Sequence, residues 1–179
     1  MRRVPAVVAI VLLTTLGACG GSDGSSGSGS GGSDGAAPGS DKAVKVLDPC
    51  TLLTPEQVGP VLGGAATVKE APGGGCSFAQ EDPRDASVGF FATPGASGGG
   101  YESTKAGLVN DGTIEDVAGV GDGAWLAVGK VGGDSLQGQG VVAVGDTIVN
   151  ISLSPASGAD KARVTSMMES LISLVGTIG

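Results

Sequence analysis

The sequence predicts an α+β domain over residues 45–179, in which a single antiparallel sheet of about five to six strands carries N- and C-terminal helices packed on one face. Three observations predict this fold. A strongly capped helix begins the segment, short β-forming runs bounded by Pro, Gly and Asp follow, and an amphipathic helix closes it. Helices that bracket an antiparallel sheet are expected to cover one of its faces.

The first helix is predicted from its terminal residues. Thr54 suits the N-cap, Pro55 suits the first helical position, and Gln57 completes a capping box. Gly63-Gly64 is expected to end the helix, because glycine readily adopts the left-handed backbone of a helix C-terminus.

The strands and the later helices are predicted from hydrophobic periodicity. Gly145-Asp146 is a tight hairpin signal between the last two strands. The predicted strands are 66–71, 76–80, 86–93, 124–128, 137–144 and 147–153. A short helix is expected over 101–110 and a closing helix over 159–175. The closing helix has one apolar stripe, formed by Val164, Met167, Met168, Leu171, Leu174 and Val175.

The first 18 residues have the order of a secretory signal peptide. Arg2 and Arg3 precede an apolar stretch over 4–16, and small residues follow it. A membrane-spanning helix needs about 20 apolar residues, so a stretch of roughly 13 predicts a cleaved signal rather than a span. Leu16-Gly17-Ala18-Cys19 resembles the bacterial lipobox.

That resemblance implies acylation of Cys19 and cleavage before it, with palmitate-type chains on the mature N-terminus. Two or more acyl chains make membrane attachment stable, whereas one chain gives only marginal binding. We therefore expect a lipoprotein on the outer face of the cytoplasmic membrane. The alternative, plain cleavage after Ala18, would leave Cys19 a free thiol.

Residues 19–44 are rich in Gly and Ser and are predicted to form a flexible tether. Without Arg2 and Arg3, 8 basic residues remain against 18 acidic ones, a net charge of −10. This charge argues against a nucleic-acid partner, because such binding depends on Lys and Arg that neutralise phosphates. Membrane contact is expected through the lipid alone.

Cys50 and Cys76 are the two cysteines that remain after lipidation. An even pair in an exported domain predicts a disulfide, because the extracytoplasmic compartment is oxidising. Free thiols are the alternative. A zinc site is disfavoured, because it needs about four N or S ligands and the chain has no histidine.

Three segments resemble a known family. Asp48-Pro49-Cys50-Thr51-Leu52-Leu53-Thr54, with Glu56 and Gly63, resembles the opening of a family of actinobacterial lipoproteins catalogued as domain of unknown function 3558. Cys76 before Phe78 resembles its second landmark, and 119–125 resembles its third. The resemblance implies a cell-envelope lipoprotein with a Cys50–Cys76 bridge, and it brings no activity or functional residue.

Two patterns bear on ligand or metal binding. Gly119-x-Gly121-x-x-Ala124 superficially fits a dinucleotide fingerprint, but a strand rather than a helix is predicted after it. Asp122 is expected to bond within its own turn and Trp125 to lie in the core or on a sheet face, with ligand binding by either as the alternative. Two acidic clusters offer oxygen ligands without the spacing of a calcium loop: Glu81, Asp82 and Asp85, and Asp111, Glu115 and Asp116. No metal or cofactor is predicted.

No catalytic residues are identified. Nucleophilic catalysis needs a base beside the nucleophile, and the chain has neither histidine nor a recognisable S-x-x-K motif. The sequence therefore predicts a non-catalytic, lipid-anchored domain that binds a cell-wall component or a membrane-protein partner. The first alternative is a small-molecule or lipid carrier with a cavity between the sheet and the C-terminal helix. The second is an envelope hydrolase with paired carboxylates.

Overall fold

A computed structural model describes residues 46–71, 75–95, 99–107 and 111–178. All of them lie within the unit Asp41–Gly179. The predicted signal peptide, Cys19 and the tether lie outside the described residues. Among the helices that are described, none is both long enough and apolar enough to cross a membrane.

The described elements are four helices and seven strands. The helices are α1 (Pro49–Leu52), α2 (Pro55–Leu62), α3 (Gly100–Ala106) and α4 (Lys161–Gly176). The strands are β1 (Thr67–Ala71), β2 (Gly75–Ala79), β3 (Ser87–Pro94), β4 (Ile114–Asp116), β5 (Gly123–Lys130), β6 (Leu136–Val144) and β7 (Thr147–Ser154).

The strands form one sheet in the order β1-β2-β3-β7-β6-β5-β4, and every neighbouring pair is antiparallel. The α+β class is thereby confirmed, with seven strands instead of five to six. The strand that the sequence did not predict is β4, which has only three residues. Such a short run is too brief to show alternation, and it is a strand because it pairs with Trp125–Ala127 of β5.

The start of the domain follows the predicted capping chemistry. The backbone N–H of Thr54 donates to Gln57 Oε1 at 2.9 Å, as a capping box requires. Gly63 ends α2 with φ of 98°, a left-handed backbone that glycine adopts without a steric penalty. The turn α1, which was not predicted, is capped by Asp48, whose Oδ1 accepts from the Cys50 N–H at 2.9 Å.

The main core lies between the sheet and α1, α2 and α4. Val164, Met168 and Leu171 of α4 are fully buried there, which confirms most of the predicted apolar stripe. Leu174 of that stripe is only partly buried, and Ile172, which the stripe did not include, is fully buried. The helix begins after Asp160, whose Oδ1 accepts from the Arg163 N–H at 2.8 Å. Helix α4 thus covers β5, β6 and β7 on this face, whereas α1 covers β2 and β3 and α2 covers β2.

Close approach between α4 and β6 depends on two glycines. A Cβ atom at Gly138 would lie 2.6 Å from Met168 Cγ, and one at Gly140 would lie 2.7 Å from Met168 Cε. Both distances are too short for real side chains, so Met168 occupies the space that these glycines leave open.

The disulfide between Cys50 and Cys76 is present, with Cα atoms 5.6 Å apart. It joins α1 to the start of β2, as predicted from the paired cysteines. Next to it in the core, the rings of Phe78 and Phe90 meet edge to face, with centroids 5.8 Å apart.

Helix α3 packs on the opposite face of the sheet. Along β5, Ala124 and Leu126 belong to the main core, whereas Trp125 and Ala127 form a second cluster with Val141, Ile148 and Tyr101 of α3. Successive residues of a strand point to opposite faces, so the two clusters lie on the two sides of the sheet. The sequence predicts a helix at 101–110 without assigning it to a face.

A candidate binding groove on the open face of the sheet

The face of the sheet that carries α3 contains a groove of about 350 Å³. Its floor is formed mainly by β2, β3, β7 and β6, and one side is formed by Thr104 of α3 and by Gly107, which follows α3. Ala71 and Gly75, from the β1–β2 hairpin, lie at the other side. The volume is at the lower end of the roughly 300–1,000 Å³ typical of ligand sites.

The strand register explains how residues distant in sequence meet on this floor. Ser77 pairs with Gly89, Gly89 with Ser152, and Ser152 with Gln139, so these four residues form one row across four strands. Residues directly opposite each other in an antiparallel sheet share a face. The floor therefore consists of short or amide side chains.

A second row lies beside the first. Phe91 pairs with Asn150, Asn150 with Val141, and Val141 with Trp125. Phe91 is 41% exposed, whereas Trp125 is only 3% exposed. An accessible aromatic ring, an amide and two apolar side chains thus border the polar row.

Glycine at position 89 keeps the floor of the groove open. A Cβ atom added there would find its nearest neighbours at 3.9 Å, the Cys76 carbonyl oxygen, and at 4.0 Å, the Ser152 carbonyl oxygen. These are ordinary van der Waals contacts, so a larger residue at position 89 would fill the groove without disturbing the core.

Several polar groups on the floor retain hydrogen-bonding capacity. The Asn150 amide donates to the Phe91 carbonyl oxygen only at 3.5 Å, at the limit of a hydrogen bond. Gln137 Nε2 donates to Ser152 Oγ at 3.2 Å. No hydrogen bond joins the Ser77 hydroxyl to another described residue. A ligand could therefore donate to and accept from this floor.

The described lining of the groove carries no formally charged side chain. None of the described residues that line it is Asp, Glu, His, Lys or Arg. Its one cysteine, Cys76, is held in the disulfide. The lining therefore provides no side chain that exchanges a proton near neutral pH.

Trp125 holds α3 against the sheet. The indole Nε1 donates to Thr104 Oγ1 at 2.9 Å, and the same hydroxyl donates to the Tyr101 carbonyl oxygen at 2.6 Å. Because Trp125 is buried, its role in the described structure is to fix α3 and close one end of the groove. This agrees with the predicted position of Trp125 on a sheet face.

The charges of α3 lie away from the groove, toward β4. Lys105 Nζ lies 2.9 Å from Asp116 Oδ1, 3.5 Å from Glu102 Oε1 and 5.3 Å from the centre of the Tyr101 ring. The hydrogen bond to Asp116 raises the pKa of Lys105, and partial burial raises the pKa of Tyr101. These charges pair with one another, and none of the three residues lines the groove.

Asp122 connects two loops instead of lying in the groove. Its Oδ2 accepts from the Gly145 N–H at 2.7 Å, and its own N–H donates to the Ala143 carbonyl oxygen at 2.8 Å. The expectation that Asp122 bonds within its own turn is thus corrected, because its partner is the β6–β7 hairpin. Strand β5 begins at Gly123, directly after this glycine-rich segment, as predicted.

Three carboxylates of the two acidic clusters, Asp82, Asp111 and Asp116, make local contacts. Arg84 pairs with Asp82, and its Nη2 lies 2.6 Å from Oδ2; this bond lowers the pKa of Asp82. Asp111 Oδ1 accepts from the Lys130 N–H at 2.6 Å. In the part of the chain that the structure describes, no three His, Cys, Asp or Glu side chains lie together as a metal-binding group would require.

Sequence reasoning missed most of the groove. It did not single out Ser77, Gly89, Asn150 or Ser152, and of its named candidates only Trp125 and Cys76 line the groove. The available signal was the alternation of polar and apolar residues in β2, β3 and β7. That alternation is also what an ordinary solvated sheet face shows, so it could not identify a ligand site.

The chain matches the model of a known protein family. The model of a family described as "Protein of unknown function (DUF3558)" matches residues 14–160. No curated protein matches the chain.

Proposed function

Because the chain belongs to the DUF3558 family, whose description assigns no activity, we propose a function from its own residues. The protein is a lipid-anchored domain of the cell envelope that binds an envelope component without chemically changing it. The observation that carries the proposal is the open, charge-free groove over β2, β3, β7 and β6.

The anchor is proposed from the N-terminal sequence. The basic residues, the short apolar stretch and Leu16-Gly17-Ala18-Cys19 together favour an acylated N-terminus on the outer face of the cytoplasmic membrane. At about 5–6 Å times the square root of its length, a tether over 19–44 would place the domain roughly 25–30 Å from the lipid. The domain would then lie among envelope material.

Binding is favoured over hydrolysis by the composition of the groove. Glycoside hydrolysis uses two carboxylates that flank the scissile bond. The described lining has hydroxyl, amide, aromatic and aliphatic side chains and no carboxylate. These groups can orient a ligand, and they cannot supply general acid–base catalysis at neutral pH.

The position of the groove also bears on the carrier alternative. A carrier cavity was expected between the sheet and α4, where Val164, Met168, Leu171 and Ile172 are fully buried and in contact with the sheet. The groove lies on the other face, beside α3. We therefore place the ligand on the α3 side.

The anchor is tested by Cys19→Ala. This change removes the sulfur that would carry the lipid, so the protein is expected to move from the membrane pellet to the soluble extracytoplasmic fraction. The measurement is immunoblotting of both fractions after a carbonate wash. Cys19→Ser serves as a second variant without the acceptor sulfur, and Ser22→Ala, in the tether, serves as the control. Firm retention of both Cys19 variants in washed membranes would disprove the lipid anchor.

The groove is tested by Gly89→Val. Valine suits a strand, and at position 89 it would fill the floor without a close contact of its Cβ atom. Mature wild-type protein in nanodiscs is incubated with solubilised cell-wall fragments, and its thermal midpoint is recorded. A ligand at 100 times its Kd adds about 2.7 kcal/mol to the free energy of unfolding, which shifts the midpoint by several degrees.

The Gly89→Val protein is expected to lose this shift. Ser87→Val is the matched control, because Ser87 lies on the same face of β3 and does not line the groove. If Gly89→Val keeps the full shift, the ligand binds elsewhere and the groove is not the site.

A further inference from the structure

The charge balance of the groove limits its ligand to neutral molecules. Without Arg2 and Arg3 the chain has a net charge of −10, and the described lining of the groove has no Lys or Arg, so anions are repelled. A lining without Asp or Glu offers no carboxylate to a cation. The ligand that fits is therefore uncharged, and it would bind through hydrogen bonds to the hydroxyl and amide groups of the lining.

We propose that the groove binds an uncharged carbohydrate, as a short run of a neutral oligosaccharide; this rests on the groove being the ligand site proposed above. Adjacent sugar hydroxyls both donate and accept, as the Ser77 hydroxyl and the Asn150 amide do. Both groups lie on the floor, and neither is saturated by short hydrogen bonds to described residues.

A partly exposed aromatic side chain in the groove also suits a carbohydrate ligand. Phe91 is 41% exposed and lines the groove, and its Cδ2 atom lies 3.4 Å from the position of a Cβ at Gly75. The ring therefore lies beside the start of β2. A sugar presents C–H groups on one face of its ring, and these pack on an aromatic face while the hydroxyls at the rim reach Asn150.

The dimensions suit more than one sugar ring. The polar row crosses four strands, and neighbouring strands are about 4.8 Å apart, so the floor is roughly 14 Å wide. With a volume of about 350 Å³, the groove accommodates a disaccharide-sized segment rather than a folded partner.

Two other neutral ligands fit less well. An extended peptide pairs with the edge of a sheet, whereas the backbone groups of β3 and β7 are already bonded to neighbouring strands on both sides. An acyl chain would cover Ser77 and Asn150 without offering them hydrogen bonds, which is unfavourable. A carbohydrate offers hydrogen bonds to the polar row and C–H groups to the aromatic ring.

The test uses mature, full-length protein in nanodiscs against immobilised oligosaccharides of two to six residues. The array holds neutral pyranose and furanose oligomers, the same backbones bearing carboxylate or phosphate groups, a neutral acyl-chain surface and uncharged peptides. Binding of at least one neutral oligosaccharide is expected, with weaker binding of its charged counterpart. Phe91→Ala should weaken that binding by roughly 2- to 12-fold, as the loss of one aromatic contact does.

Controls separate this proposal from the one on which it rests. Val131→Ala is the matched variant, because Val131 is 40% exposed and does not line the groove; it should bind like wild type. Circular dichroism confirms that each variant is folded, and Gly89→Val should abolish binding independently of Phe91. Binding of acyl chains or peptides, lost in Gly89→Val, without binding of neutral sugars would overturn the carbohydrate inference and leave the groove as the site. Sugar binding that Gly89→Val does not change would overturn both.

Discussion

Replacing both Cys50 and Cys76 by Ala is expected to lower the free energy of unfolding by about 3–4 kcal/mol, the chain-entropy value for a loop of this length. The bridge spans 26 residues and joins α1 to β2. Without it, the unfolded chain gains conformational freedom while the folded state loses a covalent link between the N-terminal helices and the sheet. The measurement is urea denaturation followed by circular dichroism.

Two comparisons make this result specific to the bridge. Wild-type protein under reducing conditions should unfold at nearly the same urea concentration as the double variant. Ser77→Ala, next to Cys76 and on the opposite face of β2, should leave the free energy of unfolding within about 0.5 kcal/mol of wild type. A double variant as stable as the oxidised wild type would mean that core packing alone fixes α1 and α2 on the sheet.

Elements with local causes were predictable from the sequence. The capping box at Thr54 and Gln57, the glycine at 63 and the hairpin at 145–146 each depend on residues a few positions apart, and each appears in the structure. The stripe of α4 was predictable because apolar residues that recur every 3.6 positions lie on one side of a helix and on no single side of a strand.

Elements that depend on distant partners were less predictable. Strand β4 is defined by its pairing with β5, and α3 is placed by the bond from Trp125 to Thr104, 21 residues earlier. The chain carries no local mark of either contact. A helix of seven residues also shows too little periodicity to reveal which side of a sheet it covers.

The groove could not be predicted from the sequence for the same reason, because its residues come from several strands. Ser77, Gly89 and Ser152 belong to three strands, and only the register brings them into one row. Each is an unremarkable residue for the solvated face of an antiparallel strand. The row indicates a binding site because it has neither charged nor bulky side chains. A single sequence does not show which residues will form such a row.

The two faces of the sheet use small residues for opposite purposes. On the main core face, Gly138 and Gly140 admit Met168 and bring α4 close to β6. On the other face, Gly89 has open space above it, which no described side chain fills. Glycine therefore allows close helix packing on one face and leaves the groove open on the other. Substitutions on one face should thus change stability, and substitutions on the other should change ligand binding.

The second large expected effect is a loss of stability from a substitution on the face that packs against α4. Met168→Ala removes a fully buried side chain and should lower the free energy of unfolding by about 2–5 kcal/mol, through lost burial and the cavity left behind. Glu169→Ala, at the exposed neighbouring position, should change it by no more than about 0.5 kcal/mol. Urea denaturation measures both variants. Neither change should alter ligand binding in the groove, which lies on the other face.

A double-mutant cycle tests whether the glycine and the methionine act as one unit. Gly138→Ala alone should cost about 1–3 kcal/mol, because its Cβ atom would lie 2.6 Å from Met168 Cγ and 2.7 Å from Met168 Sδ. In the Met168→Ala background those atoms are gone and the added methyl group partly fills the cavity. The double variant should therefore be more stable than the sum of the two single changes predicts, by roughly 0.5–3 kcal/mol. Strict additivity would show that α4 does not owe its position on the sheet to this contact.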